Sequence, residues 1–212
     1  MARRREQLLA VAFEIVGTAG VSAIGVREVC RKAGLSARYF YESFGDIDDL
    51  LVALLDSVLL AAVEPVGAAI EAAEPTAKAK AHAAISAFVT NLTEDPRRIR
   101  IAFQESLGNA AMAQRRQRIV NTLADIVEAQ AIAFYTAPTQ ASPLRESTAR
   151  FVVGGMFELL IAWQSGDLTL TPDQLVEHAA TLLVGAGTAA RTAALADSTP
   201  RDISPPAGRT LD

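Results

Sequence analysis

Apolar residues recur at intervals of three and four along most of the chain, and no sustained alternation of apolar and polar residues interrupts them. This spacing is typical of amphipathic helices. Strong helix formers dominate the periodic stretches, and Gly, Pro, Asn and Asp cluster between them. The pattern predicts an all-α protein, with helices at about 4–19, within 26–44, and at about 47–73, 77–92, 96–107, 110–135, 143–165 and 172–194.

The same breaks divide the chain into three parts. We predict an N-terminal head of three helices at 1–46 and a larger helical body at 47–194. The tail at 195–212 is rich in Pro, Ser, Thr and charged residues, so we expect it to be disordered. Within the long stretch after residue 46, Pro65 and Gly67 are placed to kink or divide the helix.

The segment 26–44 predicts two short helices joined by a tight turn. Gly34 supplies a permissive backbone for the turn, and Ser36 is a favoured N-cap for the helix that follows. The first helix has an apolar stripe formed by Val26, Val29, Cys30 and Ala33. In the second, Phe40 and Phe44 share one face, and the other faces carry Ala37, Arg38, Tyr39, Tyr41 and Ser43. A short helix with Arg, Tyr and Ser exposed suits the major groove of DNA, so the segment predicts a helix-turn-helix.

The distribution of charge agrees with a DNA-binding head. The chain has 212 residues, half of them hydrophobic, and a net charge of −4. Residues 1–45 contain seven basic and four acidic side chains, whereas residues 46–64 contain five acidic side chains and no basic one. The single cysteine, Cys30, excludes an internal disulfide and a Cys-based zinc site. We interpret Cys30 as a small buried residue, with a reactive thiol as the alternative.

The N-terminus, MARRR followed by LLAVAF, has some features of a secretory signal. Glu6 and Glu14 interrupt its apolar part, which has helical periodicity instead. We therefore predict an amphipathic helix preceded by a basic arm, formed by Arg3, Arg4 and Arg5. The apolar stretch 151–163 is too short to span a bilayer and contains Glu158. We expect a soluble, cytoplasmic protein without a membrane partner.

The segment GVREVCRKAGLSARYFYESFGDIDDLLVALL resembles the DNA-binding domain of the TetR family of bacterial transcriptional regulators. The resemblance covers residues 6–55, about a quarter of the chain. Its matching positions are Val26, Arg27, Glu28, Val29, Ala33, Gly34, Leu35, Ser36, Phe40, Tyr41, Phe44 and Leu50. The stretch FELLIAWQSGDLTLTPDQLVEHAATLLVGAG also resembles, less specifically, the last two helices of many members. The resemblance implies a three-helix head, a long linking helix and a helical body for ligand binding and dimerisation.

Three positions depart from the family pattern. Gly25 stands where Thr or Ser often caps the second helix, and glycine is only a slightly weaker cap. Ser43 stands where His is frequent, so one phosphate contact is expected to differ. Ile47, flanked by Asp46 and Asp48, stands where a phosphate-binding Lys is frequent. This departure predicts weaker nonspecific affinity for DNA, which the arginines of the N-terminal arm could offset.

Several head residues are candidates for DNA contact. Arg38 is the leading candidate for reading a base, because a guanidinium can bridge guanine O6 and N7; the alternative is a solvated surface arginine. Tyr39 contacts a base or sugar, or packs on the surface. The resemblance assigns Tyr41 to a phosphate, and Ser36 is expected to cap its helix with or without a phosphate contact. The whole predicted DNA-contact set is Arg3, Arg4, Arg5, Arg27, Ser36, Ala37, Arg38, Tyr39, Tyr41 and Ser43.

Arg27 has two interpretations. At the start of its helix it could hold a backbone phosphate, or it could form an ion pair with Glu28 or Glu42. The core residues Phe40 and Phe44, by contrast, are expected to hold the head together rather than to read DNA.

The body shows no catalytic constellation, metal motif or phosphate-binding loop, so we expect neither an enzyme nor a cofactor or metal site. The resemblance implies a small-molecule pocket between the long linking helix and the helix at 110–135, with the helix at 143–165 as a further wall. Candidate lining residues are His82, Phe88, Phe103, Gln104, Met112, Phe134, Tyr135, Met156 and Trp163. Ordinary core packing is the alternative for each. The few charges among them favour an apolar or weakly polar effector.

The last two predicted helices favour a homodimer. Apolar and small residues line the helix at 143–165 at Phe151, Gly154, Gly155, Leu159 and Ala162, and the helix at 172–194 at Leu175, Ala179, Leu182, Leu183, Gly185, Ala186, Gly187 and Ala190. Two such helices from each subunit form a four-helix interface around a twofold axis. The sequence thus predicts a dimeric repressor that binds a palindromic operator and is released by its effector. The alternative is a helical small-molecule-binding protein whose head does not bind DNA specifically.

Overall fold

The computed structural model describes the backbone of residues 2–135 and 143–197 and the side chains of residues 2–129 and 143–195. This part of the chain is helical and contains no strand, which confirms the all-α prediction. The α-helices are α1 (Ala2–Ala19), α2 (Val26–Ala33), α3 (Ala37–Tyr41), α4 (Ile47–Leu60), α5 (Val63–Ala72), α6 (Ala77–Thr93), α7 (Pro96–Ile99), α8 (Ala110–Tyr135), α9 (Pro143–Ser165) and α10 (Pro172–Asp197). Below, the head is α1 to α3 and the body is α4 to α10.

The head forms the predicted helix-turn-helix. α2 ends at Gly34, whose φ of 64° is a left-handed conformation that favours glycine. The Leu35 N–H then donates to the Cys30 carbonyl at 3.0 Å, which closes the turn before α3 begins. The buried residues that hold the three helices together are Leu8, Ala12, Ile15, Val16, Val29, Cys30, Ala33, Phe40 and Phe44.

The predicted long helix at 47–73 is two helices, α4 and α5. Pro65 explains the break, because it lacks an N–H and its ring crowds the carbonyl four residues earlier, that of Ala61. The side-chain amide of the buried Asn91 donates to this carbonyl at 3.2 Å. Pro65 lies in the first turn of α5, where proline is tolerated, whereas Gly67 lies inside α5 without dividing it.

The helices of the body pack around a shared core. α6 packs against α5 and α10, α8 packs against α4 and α9, and α9 packs against α10. The predicted helix at 96–107 is not a continuous α-helix: α7 is followed by a π turn, Arg100–Gln104, and a 3-10 turn, Glu105–Leu107. α10 extends to Asp197, which is three residues into the predicted tail, and residues 198–212 lie outside the described part.

The stretch Ile47–Ala72 is long and apolar enough, by length and composition, to pass as a membrane span, which the sequence analysis did not anticipate. It comprises α4 and α5. Packing accounts for the apolar composition of α4, whose Leu50, Leu51, Leu54, Leu55 and Val58 are buried in the core. α4 is therefore a core helix that connects the head with the body.

Candidate nucleic-acid interface

α3 is a short helix fixed to the head by its aromatic residues. Phe40 is fully buried and its ring centroid lies 5.9 Å from that of Phe44, which is also buried. Tyr41, next to Phe40, is 59% exposed, and Arg38 projects still further into solvent. The apolar side of α3 therefore anchors it in the core, and its opposite side is free to enter a groove.

Ser36 occupies the N-cap position of α3, but its hydroxyl makes no capping hydrogen bond. Its backbone carbonyl accepts instead from the Tyr39 N–H at 3.0 Å. The expected side-chain cap is therefore absent, and Ser36 is an exposed residue. Ala37 beside it is exposed as well, which leaves room for a DNA backbone to approach.

The three N-terminal arginines belong to the first turn of α1 rather than to a separate arm, because α1 begins at Ala2. The guanidinium of Arg4 lies 3.8 Å from the Tyr39 ring centroid, and that of Arg5 lies 5.1 Å from the Phe44 ring centroid. Arg3 is exposed. The helix thus places its basic first turn along α3, where cation–π contacts hold two of the arginines.

The acidic partners proposed for Arg27 are engaged elsewhere. Glu28 accepts from Arg31 at 2.7 Å, and Glu42 accepts from Arg38 at 3.0 Å. Arg27 is exposed at the start of α2 and forms no ion pair with any side chain described here. Ser43, by contrast, is half-buried and donates its hydroxyl proton to the Tyr39 carbonyl at 3.1 Å. This leaves only its oxygen lone pairs for an outside partner.

The acidic residues at the start of α4 have structural roles. Asp46 caps α4 by accepting from the Asp49 N–H at 2.9 Å, and Asp49 in turn accepts from the Gly45 N–H at 3.0 Å. Asp48 accepts from the Asn109 side chain at 2.8 Å. Ile47, at the position where a lysine is frequent, is half-buried against the core. The position of Asp46 directly before the helix predicts this cap, which the structure confirms, whereas no local pattern marks the contacts of Asp48 and Asp49.

Comparison with known proteins identifies this head. Residues 8–54 match the family model described as bacterial regulatory proteins, tetR family, and this range begins in α1, includes α2 and α3 and ends in α4. This part of the chain is therefore similar to the DNA-binding domain of TetR-family regulators. No curated protein sequence matches it.

Solved structures share the fold of this chain over most of its length. The transcriptional regulator FadR from Bacillus subtilis, in complex with stearoyl-CoA, superposes with a TM-score of 0.67 at 21% identity, covering 85% of this chain and 98% of that one. The fatty acid degradation regulator FadR from Bacillus halodurans gives 0.67 at 16% identity, with 86% and 95% covered. A TetR-like transcriptional regulator from Rhodococcus sp. RHA1 gives 0.60 at 17% identity, with 87% and 95% covered. At these identities the likeness establishes the fold alone.

The predicted effector residues are scattered through the body. Phe103 and Met112 are fully buried in the core, and Phe88, Met156 and Trp163 are half-buried against it. The Trp163 indole N–H donates to the Leu170 carbonyl at 2.8 Å. The side chains of Phe134 and Tyr135 lie outside the described part.

The two polar candidates lie at the surface. Gln104 is exposed and its side chain donates to that of Gln164. His82 is exposed beside Glu177, with 3.9 Å between His82 Nε2 and Glu177 Oε2. His82 lies in α6, whereas Gln104 ends the π turn Arg100–Gln104.

A groove of about 600 Å³ runs between α8 and α9. Its apolar lining includes Val120, Phe157 and Ile161, and its polar lining includes Arg116 and Arg150. None of the described side chains that the sequence singled out as pocket lining borders it. The groove is nevertheless connected to one of them, because the Phe157 ring lies 5.4 Å from the ring of Phe103 in the π turn.

The π turn and its neighbours also hold the head. Glu105, only 14% exposed, accepts from the Val21 N–H at 2.7 Å and from Arg100 Nε at 2.9 Å. Arg100 donates to the Thr18 carbonyl at 2.8 Å, near the end of α1. Arg97 forms an ion pair with Glu14 at 2.5 Å. We call this set of contacts between α1 and the segment 97–105 the joint.

Proposed function

We propose that this protein is a regulator of the TetR family: a dimeric, ligand-responsive repressor that binds a palindromic operator. The observation that carries the proposal is the exposure of α3: Arg38 is 83% and Tyr41 is 59% exposed, and Ser36 before them is exposed without a capping hydrogen bond. A guanidinium reads guanine, and hydroxyl and backbone N–H groups bind phosphate. Two such heads related by a twofold axis would enter successive major grooves about 34 Å apart.

The DNA-binding proposal is tested by selecting bound duplexes from a random pool and measuring their affinity by mobility shift. We expect a palindrome, and affinity that falls steeply with salt because phosphate contacts release counterions. Arg38→Ala should weaken operator binding by about ten- to a hundredfold. Arg118→Ala, an exposed arginine of α8, is the matched control and should leave binding unchanged. If no sequence is enriched even at low salt, the DNA-binding role is wrong.

Exposed apolar residues on α9 and α10 support the proposed homodimer. Phe151 is 75% exposed and Leu182 is 60% exposed, and a Cβ added at Gly155 would meet no atom within 4 Å. Phe151→Arg or Leu182→Arg should give monomers in sedimentation and lose operator affinity. Leu60→Arg, at a 64% exposed leucine of α4, should stay dimeric. A wild-type protein that is monomeric at micromolar concentration would contradict the interface.

The groove between α8 and α9 supports a small effector with a mainly apolar body. Arg116 and Arg150 at its polar side offer hydrogen bonds to one polar or anionic group of such a molecule. FadR from Bacillus subtilis, which has the same fold, was solved with stearoyl-CoA, which joins a long apolar chain to a large anionic head group. An effector here would push on Phe157, which contacts the π turn through Phe103 and so adjoins the joint.

Stearoyl-CoA is therefore the first probe for release of the operator. We expect it to raise the thermal midpoint of the protein and to weaken operator binding, because it would favour one of two head arrangements. Arg116→Ala should weaken both effects, whereas Arg118→Ala should not. Binding that leaves operator affinity unchanged would refute the switch and leave the DNA role intact.

The alternative function is that of a helical small-molecule-binding protein that does not bind DNA specifically. The acidic start of α4 and Ile47 in place of a lysine favour it. The engaged state of Asp46, Asp48 and Asp49 weakens that argument, because caps and the Asn109 contact already use their carboxylates. The enrichment experiment separates the two functions directly.

A further inference from the structure

Two arginines from different helices converge on the carboxylate of Glu42, the residue that follows α3. Arg38 Nε donates to Glu42 Oε1 at 3.0 Å. Arg4 Nη1 of α1 lies 3.8 Å from Glu42 Oε2, and the same guanidinium lies 3.8 Å from the Tyr39 ring centroid. A single carboxylate thus connects the first turn of α1 with the DNA-facing side of α3.

The atom that Arg38 uses toward Glu42 decides what remains for DNA. A guanidinium has five N–H groups, and the contact through Nε leaves both terminal NH₂ groups free. Those two groups lie side by side and match the O6 and N7 acceptors of guanine. An arginine without this restraint samples many rotamers and is equally able to bind a phosphate oxygen, a contact that carries no sequence information.

We propose that Glu42 is a positioning residue for sequence readout: it directs the terminal NH₂ groups of Arg38 toward a guanine in each operator half-site. This inference rests on the proposed DNA-binding function. Arg4 has a complementary part, because a carboxylate near DNA phosphates is repulsive unless a cation accompanies it. Glu42 thereby raises sequence specificity in two ways. It orients Arg38, and it keeps Arg38 and Arg4 away from nonspecific contacts with phosphates.

The test compares specific with nonspecific affinity for Glu42→Gln in the full chain. The probes are the selected operator, the same operator with the guanine opposite Arg38 replaced by adenine, and a random duplex. For the wild type, the replacement should cost about ten- to a hundredfold. For Glu42→Gln, we expect that cost to shrink to a few-fold, random-duplex affinity to rise, and the salt dependence of that affinity to steepen by about one ion.

Glu28→Gln is the matched control, since Glu28 also pairs with two cations of the head, Arg31 at 2.7 Å and Lys32 at 3.9 Å. It removes the same charge without touching Arg38. It should raise affinity for all three duplexes alike and keep the guanine preference. Thermal unfolding of both variants establishes that the head stays folded, as expected for exposed carboxylates.

Each outcome has a distinct meaning. Loss of the guanine preference in Glu42→Gln, with the preference kept in Glu28→Gln, supports positioning. An unchanged preference in Glu42→Gln, or an equal loss in both variants, overturns the inference while the operator binding of the wild type still supports the proposed function. Absence of any operator for the wild type is the separate failure of the DNA-binding function itself.

Discussion

The two ends of α1 are built from different interactions. At its N-terminus, arginines lie on aromatic rings of α3 and remain largely exposed, as in the contact of Arg4 with Tyr39. At its C-terminus, the segment 97–105 of the body supplies Arg100 to the Thr18 carbonyl and Glu105 to the Val21 N–H. Of these groups Glu105 is the most enclosed, with 14% of its side chain exposed, whereas the contact of Arg100 with Thr18 lies at the surface.

The N-terminal end of α1 thus lies beside the proposed DNA-binding surface, whereas its C-terminal end connects the head with the body. Exposed ion pairs contribute little to stability, which suits a surface whose contacts serve DNA binding rather than folding. Hydrogen bonds to the poorly solvated carboxylate of Glu105 are costly to break, so we expect the chain at the end of α1 to move with the body. Substitutions at the two ends should therefore affect different measurements, and that contrast can be tested from the largest effect to the smallest.

The largest effect on stability is expected at Glu105. Glu105→Ala leaves the Val21 N–H and the Arg100 guanidinium without their shared acceptor in a poorly solvated place. We expect a loss of about 2–4 kcal/mol in the free energy of unfolding, measured in urea. Glu105→Gln retains an acceptor oxygen and should lose less.

A surface ion pair provides the control for Glu105. Glu94 pairs with Arg98 at 3.1 Å but is 61% exposed, so Glu94→Ala should change stability by no more than about 0.5 kcal/mol. Equal losses in Glu105→Ala and Glu94→Ala would show that the joint is no stronger than an ordinary surface contact.

The next effect is steric, at Gly17 in α1. A Cβ at Gly17 would lie 2.7 Å from Cβ of Arg97, an atom too close to its backbone to swing away. Gly17→Ala should therefore cost about 1–3 kcal/mol, although alanine is the better helix former. Gly67→Ala in α5 meets nothing within 4 Å and should instead stabilise by up to about 1 kcal/mol. The free energy of unfolding of both variants, measured by chemical denaturation, tests this contrast. A Gly17→Ala variant as stable as the wild type would mean that α1 packs loosely against Arg97.

The structure of the head around the N-terminal end of α1 could be predicted from the sequence far better than the joint. Helical periodicity, Gly34 before Ser36 and the apolar spacing of Phe40 and Phe44 are local signals, and the head has the structure that they predict. The hydroxyl of Ser36 was assigned too simply, because a residue at an N-cap position need not use its side chain.

The joint and the groove could not be predicted, because they depend on residues distant in sequence. Val21 and Glu105 are separated by 84 positions, and no local pattern marks either one as the partner of the other. The π turn has no sequence signature comparable to a cap. The break before α5 was only half predicted: Pro65 indicated it, but the carbonyl that receives Asn91 is visible only in the folded chain.

A smaller effect at the joint is a dependence on pH. The hydrogen bonds that Arg97 donates to Asp95 hold the pKa of that carboxyl below its ordinary value, against the opposing influence of burial. Because the pKa is lowered by folding, the stabilisation is complete above the pKa of the unfolded state, near 4, and is lost as the pH falls through the folded-state value.

Asp95→Asn tests that dependence, since asparagine keeps the oxygen that caps α7 and removes only the charge. Unfolding measured from pH 5 to pH 2 should show a shallower loss of stability for this variant, by less than one proton per molecule. An identical pH profile for variant and wild type would mean that other carboxylates account for the acid sensitivity.

The smallest effect on stability is expected at the opposite end of α1. Arg4→Ala removes one exposed ion pair and one cation–π contact, and should change the free energy of unfolding by no more than about 1 kcal/mol. The same variant should weaken operator binding and reduce its salt dependence, because Glu42 then keeps an uncompensated charge near the phosphates. Glu105→Ala should show the reverse, with a large loss of stability and an unchanged salt dependence of the remaining folded protein. If Arg4→Ala unfolds the head as easily as Glu105→Ala does, the two ends of α1 do not divide recognition from coupling.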